Sequence, residues 1–399
     1  MPEHRILILD DEPEIGQYVA TVAELSGFES TYFSDPEAFF SAIAIWPEAC
    51  AVIDLQMPAL DGIEVLRRLS STKFRRPIVI MSGVDRKVLE SARHFARAHD
   101  LEVSDIVSKP ARLDELRQIF ERLRGSIHLL PTRAELADGI ARREFQLHLQ
   151  PKVRLVRDGE DGVSYVPLGF EGLMRWQSPS RGLVMPDHFI PQIAAAGLGA
   201  EFSDHLFDLA LDTLKSWNEA GIDASLAINL SASDVEDLSL ADRLWKRCSD
   251  AGIDQQRIII EVTETAAMQH PERALDVLTR LRLRGFLLSL DDFGTGYSSL
   301  VQLQRLPFAE LKIDRSLISD CTSSEHTRII VKAIIDLGHN LGLTVVAEGV
   351  EDEDTLELLQ GWSCDLAQGY LLARPLPPER ARAWWLAHRN MNGRPVASE

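Results

Sequence analysis

Between residues 145 and 371 the chain repeats one pattern eight times: a short apolar run, a polar or charged residue at its end, and then a stretch with helical periodicity. The runs are Phe145 to Lys152, Pro167 to Met174, and those near 225–230, 257–262, 286–291, 310–314, 343–348 and 364–371. Apolar residues between them recur at helical spacing, as in Phe202, Leu206, Leu209 and Trp217, or Ile330, Ile334, Leu337 and Leu341. Strand and helix in alternation demand a parallel sheet covered by helices. Eight such units in about 260 residues have the size of a TIM-type (β/α)8 barrel. The polar connection Asp158-Gly159-Glu160-Asp161-Gly162 joins the first two runs as a hairpin, so the barrel starts irregularly.

Barrels of this kind draw their chemistry from the carboxyl ends of several strands. Here those ends deliver Gln150, then Glu171 with Arg175, Asn229, Glu261 followed by Glu264, Asp291-Asp292, Lys312 with Asp314, Glu348, and Gln368. Taken singly, each has an ordinary reading as a helix cap or a surface ion pair. Closure changes that, because it gathers Glu171, Asn229, Glu261, Asp291, Asp292 and Glu348 around one cavity. Two carboxylates about 4 Å apart repel by roughly 4 kcal/mol at an effective dielectric near 20, so the cluster needs cations. Hard oxygen donors without histidine or cysteine suit Mg2+ or Mn2+. Two such ions about 3.5–4 Å apart are a standard device for in-line displacement at phosphorus, with Asp291 the natural bridge and Lys312 placed to orient water.

The first 124 residues read differently. Short strands at Arg5 to Leu9, Ser30 to Phe33, Cys50 to Ile53, Pro77 to Met81 and Glu102 to Val107 alternate with amphipathic helices. They predict a doubly wound five-strand parallel sheet of flavodoxin-like type, with its site at the carboxyl ends. Those ends carry Asp10-Asp11, Asp54, Ser82 and Lys109-Pro110. Three carboxylates there suit one Mg2+, and the hydroxyl and ammonium suit the oxygens of a phosphoryl group.

Composition removes other classes. A formal net charge of -19 argues against reading duplex DNA, which is bound largely through lysine and arginine. No apolar stretch approaches the roughly 20 residues of a membrane span, and a cytoplasmic location is expected. Cys50, Cys248, Cys321 and Cys364 show no metal-ligand spacing and read as core residues.

On Asp10-Asp11-Glu12, Asp54-Leu55-Gln56-Met57-Pro58, Asp61-Gly62, Met81-Ser82-Gly83 and Lys109-Pro110, residues 1–124 resemble a two-component response-regulator receiver domain. The resemblance implies Asp54 as phosphoacceptor, Asp10 and Asp11 as Mg2+ ligands with it, Ser82 and Lys109 on the phosphoryl oxygens, and a cognate histidine kinase as donor. Ile106 stands where the family usually has an aromatic residue, a departure that bears on the aromatic-rotation route of signalling and not on phosphorylation itself. Residues 125–132 read as a short linker, 133–390 as the barrel and 391–399 as a flexible tail.

The barrel in turn resembles the EAL family of cyclic di-GMP phosphodiesterases. The likeness rests on Glu171-Gly172-Leu173-Met174-Arg175, Asn229, Glu261-Val262-Thr263-Glu264, the run 291 to 299, Leu311-Lys312-Ile313-Asp314, Ala347-Glu348-Gly349-Val350-Glu351 and Gln368-Gly369-Tyr370. Joined to a receiver, it implies phosphorylation-regulated hydrolysis of cyclic di-GMP to linear pGpG. It implies two ions in the barrel, Glu171, Asn229, Glu261 and Asp291 on the first and Asp291 with Asp292 on the second. Lys312 would position the attacking water and Glu348 would serve as general base or water-holding acid. Gln150, Arg175, Asp314 and Gln368 would meet the substrate. Glu264 and Glu351 would anchor the loop Phe293 to Ser299, and oligomerisation would run through the barrel. Two residues depart from the family pattern: Gly172 replaces alanine and loosens its strand, and Leu149 replaces a tyrosine and alters a substrate contact. The rival readings are a receptor that binds cyclic di-GMP without cleaving it, and a regulator acting through protein contacts alone.

Overall fold

The structure is a computed structural model and describes every residue except 1–3, 47–48, 59, 73, 75, 84–85, 99–100, 130, 157–163, 295–299 and 390–399. The connection 158–162, most of the loop beyond Gly294 and the tail 391–399 therefore lie outside the described residues. The chain divides into two compact units, Met1–Arg133 with Asp187–Ala195, and Ala134–Pro186 with Ala196–Glu399.

In the first unit, β1 (Arg5–Leu9), β2 (Glu29–Phe33), β3 (Cys50–Asp54), β4 (Ile78–Ser82) and β5 (Val103–Ser108) form a parallel sheet in the order β2-β1-β3-β4-β5. The three central strands β1, β3 and β4 are apolar at nearly every position because both faces are covered. Successive side chains alternate between those faces. Leu7, Leu9, Ala51, Ile53, Ile78 and Ile80 pack with Phe39, Val65, Leu66, Leu69 and Leu89 on one side. Ile6, Ile8, Val52, Val79 and Met81 pack with Val19, Ala23, Leu116 and Phe120 on the other. Ile106 is partly buried against the first of these clusters. The helix Leu113–Leu129 runs through residue 124, and the next helix begins at Arg133.

The second unit contains β6 (Phe145–Val156), β7 (Ser164–Ser178), β8 (Gly182–Val184), β9 (Ser225–Asn229), β10 (Ile258–Thr263), β11 (Leu287–Phe293), β12 (Glu310–Ile313), β13 (Thr344–Ala347) and β14 (Leu366–Gln368). Neighbours follow one another from β7 through β9 to β14 and on to β6, and β6 pairs back with β7. That closes an eight-strand barrel in which β6 alone runs antiparallel to both neighbours. The expected irregular start is thus a reversed first strand. It is longer than the sequence pattern indicates, passing Gln150 and continuing to Val156. β8 lies outside the barrel and pairs only with β7; three residues are too few for alternation to announce a strand.

Alternation also sorts the departures from the family pattern. Leu149 is fully buried, exchanges backbone hydrogen bonds with Leu376, and as Gln150's neighbour faces away from the barrel interior. It is a core residue, which overturns the expectation of an altered substrate contact. At Gly172 an added Cβ would come within 2.9 Å of the Leu147 side chain, so the space an alanine needs is already filled.

Candidate active site

Lys312 lies on β12, wholly buried, and its ammonium meets four carboxylates from four different strand ends. The distances are 3.4 Å to Glu171 Oε2, 3.0 Å to Glu261 Oε2, 3.1 Å to Asp291 Oδ1 and 2.6 Å to Glu348 Oε1. An ammonium has three N–H donors, so one lysine cannot satisfy four carboxylates. Protonation shows where the charge is least tolerated. Burial, with Glu171 and Asp291 nearby, holds Glu261 well above the usual carboxylate range, and burial with Asp291 does the same to Glu348. Glu171 goes the other way: burial pushes it up, but Lys312 and the amides of Gln368 and Asn229 outweigh that and leave it low.

Asp291 and Asp292 are consecutive, and in a regular strand they would point to opposite faces. The register of β11 against β12 breaks between Leu290 and Phe293, and Asp292 adopts a left-handed φ of 57°. This conformation costs about 1–2 kcal/mol for a non-glycine residue. It brings carboxylate oxygens of Asp291, Asp292 and Glu348 within 4.8 Å of one another, as are those of Glu171, Glu261 and Asp291. Burial beside Asp291 and Asp314 pushes the Asp292 carboxyl up to about 7.

These residues fit divalent ions. The Glu261 Oε1 is buried without a hydrogen-bond partner, and such an atom in an acidic cavity is what a cation would satisfy. Asn229 Nδ2 donates to Glu171 Oε1 at 3.0 Å, and Gln368 Nε2 donates to Glu171 Oε2 at 2.6 Å and to Gln150 Oε1 at 3.1 Å. Gln150 and Gln368 thus orient Glu171, a link between strands that the sequence did not reveal. Arg175 is buried four residues beyond Glu171 on the same face of β7 and donates to Met174 O at 2.8 Å. Glu264 Oε2 accepts from the Gly294 N–H at 3.3 Å at the start of the expected loop, whose residues 295–299 are outside the described set. Glu351 is exposed, and Asp314 caps the helix Arg315–Asp320 by accepting from the Ser316 N–H.

The metal-free cluster makes a prediction about stability. Asp292 titrates near 7 in the folded state against an ordinary 3.8, and Glu261 and Glu348 are raised as well. Across that window the folded chain holds more protons than the unfolded one, so stability falls as pH rises. In EDTA the melting temperature should therefore decline from about pH 5 to about pH 7. Excess Mg2+, which binds the deprotonated form, should flatten the decline, and Asp292→Asn should reduce it. A melting temperature that climbs over this interval would contradict the assignment.

Backbone hydrogen bonds pin the segment that follows Glu348. Val350 N–H donates to Gln368 O and Leu371 N–H donates to Val350 O, each at 3.0 Å. A Cβ on Gly369 would stand 2.0 Å from Val350 O. Gly369→Ala should cost about 3 kcal/mol and displace Glu348, lowering turnover more than it lowers substrate affinity. Denaturant titration and steady-state kinetics test this.

In the first unit the strand ends also converge. Lys109 Nζ lies 2.8 Å from Asp10 Oδ2, 2.8 Å from Asp54 Oδ2 and 3.5 Å from Glu12 Oε1. Asp10 and Asp54 are buried, as is Ser82 at the end of β4. Burial raises the Asp10 carboxyl even against Lys109. Oxygens of Asp10, Asp11 and Asp54 lie within 4.8 Å of one another, and the Asp11 Oδ1 is buried without a hydrogen-bond partner, which fits a cation. A Cβ on Gly62 would meet Asp54 O at 2.6 Å, which explains the glycine after Asp61.

The second unit thus presents a barrel with a reversed first strand and an acidic ring around a buried lysine, and the first a doubly wound sheet with an aspartate pocket. The chain belongs to the EAL domain family: residues 133–375 match its profile, and residues 6–121 match that of the response regulator receiver domain. It is 29% identical to the cyclic di-GMP phosphodiesterase RocR of Pseudomonas aeruginosa over 393 residues, 95% of this chain and 98% of that protein. It is 38% identical over 250 residues to the bifunctional diguanylate cyclase/cyclic di-GMP phosphodiesterase MucR of the same species, 62% of this chain but only 36% of MucR. The solved structure described as PaMucR phosphodiesterase in complex with c-di-GMP matches with a TM-score of 0.58 at 38% identity, covering 62% of this chain and 98% of that one. Among the described residues no helix is long and apolar enough to cross a membrane.

Proposed function

We propose that this chain hydrolyses one phosphodiester bond of cyclic di-GMP to give linear pGpG, and that phosphorylation of Asp54 by a histidine kinase regulates the reaction. The observation that carries the reading is the ring of four carboxylates on Lys312 with one buried Glu261 oxygen left unpartnered. Glu171, Glu261 and Asp291, with Asn229, would hold one Mg2+ or Mn2+, and Asp291 with Asp292 a second. Bound ions supply the positive charge that two phosphate oxygens require and acidify the attacking water. Lys312 would orient the attacking water, and Glu348, whose carboxylate lies 2.6 Å from the ammonium, would take its proton. Arg175 would meet a substrate phosphate.

Purified protein incubated with cyclic di-GMP and Mg2+, with and without a small phosphoryl donor, should yield pGpG on chromatography, and EDTA should stop it. Binding without any product in either condition would establish a receptor instead. Asp54→Asn should abolish the donor-dependent change while leaving basal turnover unchanged, since Asp54 contributes no group to the acidic ring. A variant that still responds to the donor would remove Asp54 as the switch.

A further inference from the structure

Beneath the acidic ring lies a second buried polar layer that the reaction above does not use. Lys152 on β6 is fully buried, and its Nζ lies 2.7 and 2.9 Å from the two carboxylate oxygens of Glu310 on β12. Ser289 Oγ on β11 donates to Glu310 Oε1 at 2.9 Å. Each member sits two residues from a member of the upper site on the same strand and face: Ser289 from Asp291, Glu310 from Lys312, Lys152 from Gln150. The barrel interior is therefore layered, with an ion pair where such barrels usually carry branched apolar side chains. Apolar residues of similar volume would fill this space without the desolvation cost of two buried charges. The pair therefore calls for a reason other than stability. Its geometry supplies one, because Glu310 is clamped from both β6 and β11 while its own strand carries Lys312 directly above. The Lys152 charge is also felt by Glu171 and Glu261.

We propose that Lys152, Glu310 and Ser289 form a positioning layer that fixes Lys312 and Asp291 from below and so sets the affinity of the acidic ring for its divalent ions. The proposal rests on the metal-dependent reading of that ring. Lys152 and Glu310 touch no substrate; they act through the residues above them.

The test is the double variant Lys152→Met/Glu310→Met, which removes both charges without leaving one unpaired. Mn2+ binding is followed by calorimetry, the denaturation midpoint in EDTA, and kcat and KM for cyclic di-GMP at saturating Mn2+. The midpoint should match or exceed that of the wild type, Mn2+ should bind about tenfold more weakly, and kcat should fall with KM unchanged. A folded double variant with wild-type Mn2+ affinity and kcat would overturn the proposal. If that variant does not fold, Ser289→Ala decides: it should weaken Mn2+ binding about threefold, and unchanged affinity would overturn the layer's role. Absence of Mn2+ binding by the wild-type protein would instead overturn the metal reading itself.

Discussion

Lys312→Met should reduce kcat for cyclic di-GMP about a thousandfold, the scale of removing one preorganised charged donor from a reacting centre. It should also destabilise the metal-free protein by about 3 kcal/mol at slightly alkaline pH, because the carboxylates it neutralises lose their buried cation. The two effects separate experimentally. At about pH 5 Asp292, pushed up to about 7, is protonated in the folded state, and Glu261 and Glu348 are raised in the same direction, so the ring makes less demand on a cation and the stability loss should shrink there. Added Mg2+ should restore the midpoint at alkaline pH without restoring turnover, since a divalent ion replaces the lysine's charge but not the hydrogen bond the lysine would give the attacking water. Denaturant titrations at two pH values, with EDTA and with Mg2+, check both. A variant equally stable at both pH values would mean that Lys312 is not the counterion of the ring.

The ring was legible in the sequence because a barrel strand pairs a run of apolar residues with an acid at its end. Ile258-Ile259-Ile260-Glu261 and Thr344-Val345-Val346-Ala347-Glu348 announce themselves, and closure is what turns separate ends into one cavity. The partners of Lys152 were not legible. A lysine two residues after Gln150 reads as a solvent-facing end of a strand, and its carboxylate lies 158 residues away on β12. Periodicity carries no information on which inward-facing charges meet. The same limit hid the Gln150–Gln368–Glu171 chain, whose members come from β6, β14 and β7. Asp292 is a different case: its adjacency to Asp291 is visible, but the left-handed turn that lets both carboxylates serve one place is a property of the broken register.

That chain gives Glu171→Ala a distinctive expected outcome. The substitution removes a carboxylate from the ring, takes the acceptor from Asn229 Nδ2, and leaves Gln368 Nε2 with Gln150 Oε1 alone. Turnover should fall at least about a thousandfold, because the lost oxygens lie where the first ion would bind and where negative charge must be balanced during displacement. Glu171→Gln keeps the volume and an acceptor oxygen, so it should recover the stability lost in Glu171→Ala while remaining nearly inactive. The two variants therefore separate orientation from charge. Mn2+ titration provides the readout apart from turnover: both should bind it at least about tenfold more weakly than the wild type. Because Lys312 would then face three carboxylates instead of four, each variant should also lose part of the pH-dependent fall in metal-free stability. Wild-type turnover in Glu171→Ala would remove this residue from the metal assignment and leave Glu261, Asp291 and Asp292 to hold the ions without it.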